Sequence, residues 1–315
     1  MKLSLLIPVY KGGDYWRECW ESIKKNLDFF DGVYISFNYS ELQEKDFAII
    51  QDCHSDKIHW IRQDRMLVAA EHGRCLDRWL RGFQLSGHIF HLCHDDILCR
   101  EGLEELSKFE LTEEDAVFGP FHFFDDQGIL KEMTVREFHR ADGQPLSGAF
   151  FASLQEQRNP TYSISGLILP AGIFQKPYLP WQDFIYGYRS ELLHLCNPYV
   201  KRVFQGFSPT VKIRLHAGAE GNVQNPAFQQ HDTMLYLLVS FAAYSDSRQR
   251  MMIARSVGYV IGRNLPRGLR YFLGLQFKLR KAGFYYPAGW KIYGYLGVLL
   301  FQKAGNLFKR ILRSR

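Results

Sequence analysis

Two adjacent carboxylates, Asp95 and Asp96, follow a short apolar run and could bind or activate a ligand. The run at residues 89–92 lies between Gly87 and charged residues, a pattern typical of a buried strand. Carboxylates at the carboxyl end of such a strand lie where open α/β sheets bind their ligands. Because adjacent carboxylates repel each other, a cation beside them would stabilise the pair. The alternative is a solvated turn that caps the next helix.

The segments before this pair alternate between strand and helix patterns. Apolar runs predict three strands, at residues 3–9, 33–37 and 57–61. Apolar residues at helical spacing predict two helices, at residues 14–27 and 71–85. Pro8 must then lie at the exit of the first strand, where no ladder donor is needed. This alternation predicts a mostly parallel, nucleotide-binding type of α/β sheet.

The sequence beyond residue 100 predicts further elements. We expect a helix at 101–109 and one strand at 116–124, where aromatic residues alternate. Residues 125–160 are polar and contain glycine, as in a substrate-side excursion or a mobile loop. Four later elements are predicted, with strands at 165–170 and 211–215 and helices at about 183–196 and 227–243.

The charge of the chain is unevenly distributed. Its 315 residues sum to a formal net charge of +6, yet residues 247–315 contain 15 Lys and Arg and no Asp or Glu. Residues 1–246 therefore carry a net charge of −9. An acidic body with a strongly basic tail indicates an anionic partner surface, either a membrane or a nucleic acid.

The basic tail is also dense in leucine and aromatic residues. The uncharged run at residues 292–301 is far shorter than the ~20 residues of a spanning helix. This composition favours interfacial helices on an anionic leaflet. The basic residues expected to contact the membrane are Arg263, Arg267, Arg270, Lys278, Arg280 and Lys281. The alternative is a helical subdomain that packs on the body; nucleic-acid binding is not expected, because phosphate contact does not require so many apolar residues.

The cysteines and the N-terminal residues indicate in which cellular compartment the protein lies. The six cysteines form no CxxC pair and no regular framework, as in reduced cytosolic proteins. The chain passes directly into the run at 3–9, which is too short for the apolar region of a signal peptide. We therefore expect a cytoplasmic protein, peripheral on the inner face of the membrane, with one large domain and an appendage.

Five segments, in order, resemble the GT-A fold glycosyltransferases of family 2, of the bacterial surface-polysaccharide type. Their counterparts in that family are the SIIIPVYN strand, the IVVDDGS strand, the DxD metal motif, the acidic ED pair and the late YRxH element. The matching segments are residues 3–10, 33–40, 74–98, Gln182-Asp183 and Arg214-Leu215-His216, the last followed by Gly218 and Asn222. The resemblance covers roughly residues 1–225. It implies a Rossmann-like GT-A domain there, and we expect residues 226–315 to form a basic, helical C-terminal extension.

The resemblance implies an inverting, metal-dependent glycosyltransferase. It would move a sugar from a nucleotide-sugar donor, with a UDP-sugar favoured, to a surface polysaccharide or lipid-linked glycan. Asp95, supported by Asp96 and by His216 late in the chain, would hold Mn²⁺ or Mg²⁺ against the diphosphate leaving group. Asp183 would act as the base that deprotonates the acceptor. Trp181 would offer the acceptor an apolar ring face.

The residues implied to contact the nucleotide donor are Pro8, Tyr10, Asn38, Arg65, Arg74 and Asp95. The two arginines would hold the diphosphate by forked hydrogen bonds. Simpler explanations remain open for several implied residues: a surface position for His216, Arg65 and Arg74, a helix N-cap for Asp183, and a core position for Trp181.

Two positions depart from the family pattern. Cys93 replaces the first aspartate of the metal motif, and a thiol is a poor ligand for Mg²⁺. Asn38 replaces the aspartate that contacts uracil; its amide can still pair with a pyrimidine edge, but uridine specificity is no longer implied. The alternatives are therefore a non-catalytic GT-A-like module that binds glycan or nucleotide, and a membrane-associated adaptor defined by the tail.

Overall fold

The structure, a computed structural model, describes the first 125 residues and shorter segments after them. The described residues are 1–125, 127–128, 131–132, 146–147, 165–175, 200, 202–206, 208–216, 273, 274, 277 and 297. The chain divides into two compact units, Met1–Gln224 and Asn225–Arg315. The predicted helices at 183–196 and 227–243 lie outside the described residues. Within the described part, no helix is both long and apolar enough to cross a membrane.

The first hundred residues alternate strands and helices as predicted. In chain order the elements are β1 (Leu3–Val9), α1 (Gly13–Lys25), β2 (Gly32–Phe37), α2 (Gln43–Ala48), β3 (Ile58–Arg62), α3 (Ala69–Leu80) and β4 (His88–His91). The four strands and the longer helices are confirmed. Helix α2 was not predicted, because its six residues are too few to show a helical repeat.

The rest of the described chain adds mostly short strands. These elements are β5 (Ile97–Leu98), α4 (Arg100–Leu106), β6 (Asp115–Phe118), β7 (Phe121–Phe124), β8 (Lys131–Glu132), β9 (Leu146–Ser147), β10 (Leu167–Pro170), β11 (Arg202–Gln205) and β12 (Val211–Arg214). The prediction of one strand at 116–124 is wrong. Gly119 and Pro120 interrupt it, and proline has no N–H to donate to a strand ladder. The halves, β6 and β7, belong to different sheets.

Among the described residues the strands form two sheets. The larger has the order β3-β2-β1-β4-β10-β6-β11-β9, and the smaller has the order β5-β12-β7-β8. Strands β3, β2, β1 and β4 are mutually parallel, whereas β10 runs antiparallel to β4. The predicted α/β class with a mostly parallel central sheet is confirmed. The carboxyl ends of these four strands meet at one edge, where sheets of this class bind ligands.

The core lies around β1 and β2. Six of the seven β1 residues and all six β2 residues are buried, which explains their continuous apolar sequence. Helix α1 buries one face against them, including Trp16 and Trp20. The Trp16 ring meets Phe37 edge-on at 6.0 Å and lies 5.7 Å from Trp20. This packing fixes α1 beside the carboxyl edge of the sheet.

Pro8 lies at the exit of β1, as predicted. Strand β4 pairs with β1 only as far as Leu6, opposite His91. The carbonyl of Val9 accepts the Asn38 N–H on the β2 side. Since backbone groups alternate along a strand, Pro8 points to the other side, beyond the end of β4. Its missing N–H therefore costs no ladder bond.

Helix α4 and the segment before β12 approach more closely than a side chain would allow. A Cβ atom on Gly102 would lie 2.2 Å from the Pro209 carbonyl oxygen. Next to this contact, the Cys99 N–H donates to the Thr210 carbonyl at 2.9 Å. Because β12 leads directly to His216, Gly102 helps to determine where that histidine lies.

Replacing Gly102 with alanine should lower the free energy of unfolding by at least about 1 kcal/mol, because the added methyl group meets backbone. The matched control is Gly73→Ala in α3, where an added Cβ has no neighbour within 4 Å. That change should raise the free energy of unfolding by about 0.5–1 kcal/mol through helix propensity alone. Urea denaturation followed by circular dichroism measures both. Equal stabilisation by the two alanines would contradict the close contact.

Candidate functional site

The candidate site lies where the parallel strands end. Residues 92–96 follow β4 directly, and the turn at 10–13 follows β1. Asn38 is the first residue after β2, and Arg65 lies in the segment between β3 and α3. Residues implied by widely separated motifs thus collect at one edge of the sheet, because parallel strands bring their carboxyl ends together.

His216 and Asp95 meet at this edge although 121 residues separate them. The His216 Nε2 atom lies 2.9 Å from Asp95 Oδ2, and the two side chains are 16% and 17% exposed. Two neighbouring ligands of an octahedral cation with bonds of about 2.1 Å stand about 3 Å apart. The observed spacing therefore allows both side chains to contact one cation, and both remain reachable from solvent.

Asp96 is buried and anchors the turn. Its Oδ1 accepts the backbone N–H of Arg214 at 2.9 Å, and its carboxyl is also hydrogen-bonded to the hydroxyl of Ser165. Burial, with a smaller contribution from Asp95, raises the pKa of Asp96 to about 8. A nearby cation would oppose both effects, because it favours the charged carboxylate.

The donor atoms around this turn fit a divalent cation. Cys93 Sγ and one oxygen each of Asp95 and Asp96 lie within 4.8 Å of one another. Asp96 is only 2% exposed, so Asp95 and His216 are the ligands most accessible to a bound ion. Carboxylate oxygen suits both Mn²⁺ and Mg²⁺, whereas imidazole nitrogen favours transition-metal ions.

Arg214 contacts several elements of the site, and no role for it was predicted. Its guanidinium lies over the ring of Tyr15 at 4.5 Å and that of Phe124 at 4.4 Å, and it pairs with Glu18. Its Nε donates to the Asp95 carbonyl at 3.2 Å. Arg214 thus connects α1, β7 and the turn at residues 93–96, which we call the acidic turn. The signal for it was its place in the late motif, two residues before His216.

A buried aspartate shapes the turn after β1. Asp46, on the helix α2 that was not predicted, accepts the N–H groups of Gly12 and Gly13 at 2.9 and 2.8 Å. The turn includes Lys11 and Gly13 with φ of 52° and 54°. This conformation suits glycine and is costly for lysine. Asp46 therefore holds a strained turn that begins with Tyr10, and no local sequence pattern marks it.

The hydrogen bonds of Asn38 limit its predicted contact with a nucleotide base. Asn38 is buried, and its Oδ1 accepts the N–H groups of Leu67 and Tyr39, both at 3.0 Å. Its Nδ2 donates to the Leu67 carbonyl at 2.7 Å. One amide hydrogen is then left to contact a base. The hydrogen bonds observed for Asn38 hold residues 65–68 against the end of β2.

The structure places the other predicted donor residues near this segment. The Tyr10 hydroxyl lies 3.6 Å from the sulfur of Met66. The Arg65 side chain is 66% exposed and pairs with Glu71, whereas Arg74 is half-buried in α3. Exposed ion pairs contribute little stability, so Arg65 can exchange its partner for a phosphate at small cost. Predicted residues Trp181 and Asp183 lie outside the described residues.

Two histidines behind the site, the buried His72 and the half-buried His94, are mostly neutral at pH 7. His72 Nε2 lies 2.8 Å from Ser36 Oγ, and burial lowers the pKa of His72 to about 4. Burial also lowers the pKa of His94, whose ring donates to the Pro8 carbonyl. These rings therefore connect the strand ends by hydrogen bonds and do not add positive charge at neutral pH.

Comparisons with known proteins show the fold. No family model and no curated protein sequence matches the chain. Its structure is similar to S. aureus TarS 1–349 in complex with UDP-GlcNAc, at a TM-score of 0.55 and 12% identity, over 97% of this chain and 92% of that chain. It is also similar to GalNAc-T7 with UDP, GalNAc and Mn²⁺, at a TM-score of 0.53 and 11% identity, over 82% and 51% of the two chains. The described domain therefore has the GT-A fold.

Replacing Arg214 with lysine should lower the free energy of unfolding by about 1–3 kcal/mol. An ammonium group cannot donate in several directions or stack between two rings as the guanidinium does. Chemical denaturation measures the change. The control is Arg100→Lys, because the partners of Arg100, Asp28 and Glu104, are exposed. That variant should stay within about 0.5 kcal/mol of wild type, and an equal loss in both variants would contradict the role given to Arg214.

Proposed function

We propose that this protein is a glycosyltransferase that moves a sugar from a nucleotide-sugar donor to a glycan. The observation behind the proposal is the meeting of Asp95 and His216, 2.9 Å apart, at the carboxyl edge of a GT-A sheet. TarS, with a similar fold, was crystallised with UDP-GlcNAc, and GalNAc-T7 with UDP and Mn²⁺. These two complexes support a UDP-sugar donor and a divalent cation for the present chain.

Asp95 and His216 would hold Mn²⁺ or Mg²⁺, with Asp96 behind them. When bound, the cation would offset the negative charge of the leaving diphosphate. Asp96 keeps the Asp95 turn fixed through its bonds to Arg214 and Ser165, so the ligand atoms need little reorganisation. The donor-site role therefore depends on both carboxylates, through different mechanisms.

Pro8, Tyr10 and Asn38 would surround the base, and Arg65 and Arg74 would contact the diphosphate. The Tyr10 hydroxyl reaches Met66, so the turn after β1 and the segment before α3 lie on the same side of the site. Arg65 is exposed and can turn from Glu71 toward a phosphate. The single amide hydrogen left on Asn38 suits a base that presents an acceptor at that point.

The proposed transfer is one displacement with inversion. Asp183 would take the proton of an acceptor hydroxyl while that oxygen bonds to the anomeric carbon and the diphosphate leaves with the electron pair. Trp181 would lie against the apolar face of the acceptor sugar. The family resemblance of Gln182-Asp183 is the support for these two roles. A surface polysaccharide such as an O-antigen or capsule, built on a lipid carrier, is the acceptor class we favour.

The donor site can be tested by thermal unfolding with UDP, GDP, dTDP and CMP, each with and without Mn²⁺. Ligand at a hundred times its Kd adds about 2.7 kcal/mol of stability, which raises Tm by several degrees. We expect a metal-dependent rise with UDP that is lost in Asp95→Ala. The exposed Asp52 provides the control, and Asp52→Ala should respond like wild type. No rise with any nucleotide would contradict the donor site.

Donor hydrolysis then separates an enzyme from a binding module. Cys93 and the restricted Asn38 amide favour, as the second candidate, a GT-A-like module that binds nucleotide or glycan without turnover. An enzyme should hydrolyse its donor slowly without acceptor, and Asp183→Asn should keep the thermal shift but lose transfer to acceptor. A nucleotide shift without hydrolysis or transfer would support the module instead.

We propose that residues 247–315 hold the protein on the inner face of an anionic membrane, close to a lipid-linked acceptor. Their charge, 15 basic and no acidic residues, supports this role. The full chain should sediment with vesicles containing anionic lipid, less at high salt, and remain in solution with neutral vesicles. Replacing Arg263, Arg267 and Arg270 with glutamine should weaken sedimentation several-fold. Equal sedimentation with both vesicle types would contradict electrostatic binding.

A further inference from the structure

The candidate cation site contains a sulfur donor as well as oxygen and nitrogen. Cys93 Sγ lies within 4.8 Å of an oxygen of Asp95 and of Asp96. Asp95, which is on the same turn as Cys93, lies 2.9 Å from the imidazole of His216. The Cys93 side chain is half-buried, so small reagents and ions can reach it. The Asp95 carboxylate therefore lies near both a sulfur donor and a nitrogen donor.

We infer that Cys93 makes this site select thiophilic divalent cations, with Zn²⁺ and Cd²⁺ binding more tightly than Mn²⁺ or Mg²⁺. Thiolate, imidazole and carboxylate are the ligands that zinc takes in proteins. Magnesium, in contrast, prefers oxygen ligands and keeps several waters. The inference builds on the cation site of the proposed function but concerns which metal occupies it.

The backbone around Cys93 limits how far its thiol can move away. The Cys93 N–H donates to Ser165 Oγ at 2.7 Å, and its carbonyl accepts the Cys19 thiol at 3.7 Å. Ser165 is fully buried and also bonded to Asp96. With both backbone groups bonded, only rotation about χ1 moves the sulfur. A tetrahedral cation with bonds of about 2.3 Å to sulfur and about 2.1 Å to oxygen holds these atoms about 3.6 Å apart, so rotation about χ1 must bring the sulfur toward the carboxylates.

Cys93 and the carboxylates of Asp95 and Asp96 would provide three ligand atoms and leave a coordination position open. Catalytic zinc sites have this arrangement, with three protein ligands and one exchangeable position. Binding forms a metal–sulfur bond, breaks the S–H bond and releases the proton to solvent. Thiolate and carboxylate together neutralise the two charges of the cation. Zinc would therefore attract a diphosphate less strongly than Mn²⁺ held by Asp95 and His216, and would compete with it.

The sulfur-to-cadmium charge-transfer absorbance of the full chain tests this without any activity measurement. Titration of wild type with Cd²⁺ should give a band, and Cys93→Ser should lose one thiolate's share of it. The matched control is Cys53→Ser, which removes another half-buried thiol far from the acidic turn in sequence. That variant should keep the Cys93 contribution. Equal bands in wild type and Cys93→Ser would overturn the inference.

Competition titrations give the selectivity directly. The ratio of the Kd for Mn²⁺ to the Kd for Zn²⁺ should fall at least about tenfold in Cys93→Asp, which restores a hard oxygen ligand. An unchanged ratio would overturn the inference. If the Cys93 variants do not fold, alkylation of wild type provides the answer. Zn²⁺ should protect the Cys93 peptide from iodoacetamide more than Mg²⁺ does, and equal protection would overturn the inference.

The outcomes also separate this inference from the proposed function. A Cys93-dependent cadmium band in a protein that binds no nucleotide and hydrolyses no donor would support the metal selectivity and contradict the glycosyltransferase. Donor turnover with Mn²⁺ and no Cys93-dependent band would support the glycosyltransferase and contradict the metal selectivity. Donor turnover with Mn²⁺ together with a Cys93-dependent band would make zinc an inhibitor that Cys93→Asp relieves.

Discussion

The site depends on the bonds between Arg214 and the acidic turn. The backbone N–H of Arg214 binds the buried Asp96 carboxylate, and its side chain donates to the Asp95 carbonyl. Its guanidinium is itself held between two rings and against Glu18. Because a buried carboxylate and a buried guanidinium both lose hydration, each needs these partners to remain in the core. This arrangement places His216, two residues further on, beside Asp95.

The shape of the site depends on glycines that allow close contacts and on the ends of strands. Gly102 allows the segment before β12 to lie directly on α4. At Gly119 an added Cβ would lie 2.1 Å from the hydroxyl oxygen of Thr210, so the break between β6 and β7 also packs against that segment. At the end of β1, Pro8 leaves a gap in the ladder where His94 donates to its carbonyl. These close contacts bring the ends of β4 and β12, which belong to different sheets, near each other.

Much of the fold could be predicted from local patterns. The runs of β1 and β2 are buried on both faces, so their apolar sequence needs no knowledge of the elements that cover them. A parallel sheet then places the residues after each strand at one edge, which correctly located Asp95 and the turn after Pro8. Short elements such as α2 and β5 escaped prediction because they contain too few residues for a repeat. Gly119 and Pro120 indicated a break in the sequence, but the alternating aromatic residues favoured the prediction of a single strand.

By itself, the sequence determined the class of fold, the position of the acidic pair and the unusual Cys93. Tertiary structure decided what these residues contact. The bonds from Asp95 to His216, from Asp96 to Arg214 and from Asp46 to the turn after β1 join residues 33 to 121 positions apart. Such pairs leave no local periodicity, because each partner satisfies a buried polar group that exists only after the chain has folded. For the same reason the sequence predicted a base contact for Asn38 but could not show that its amide is mostly bonded to Leu67.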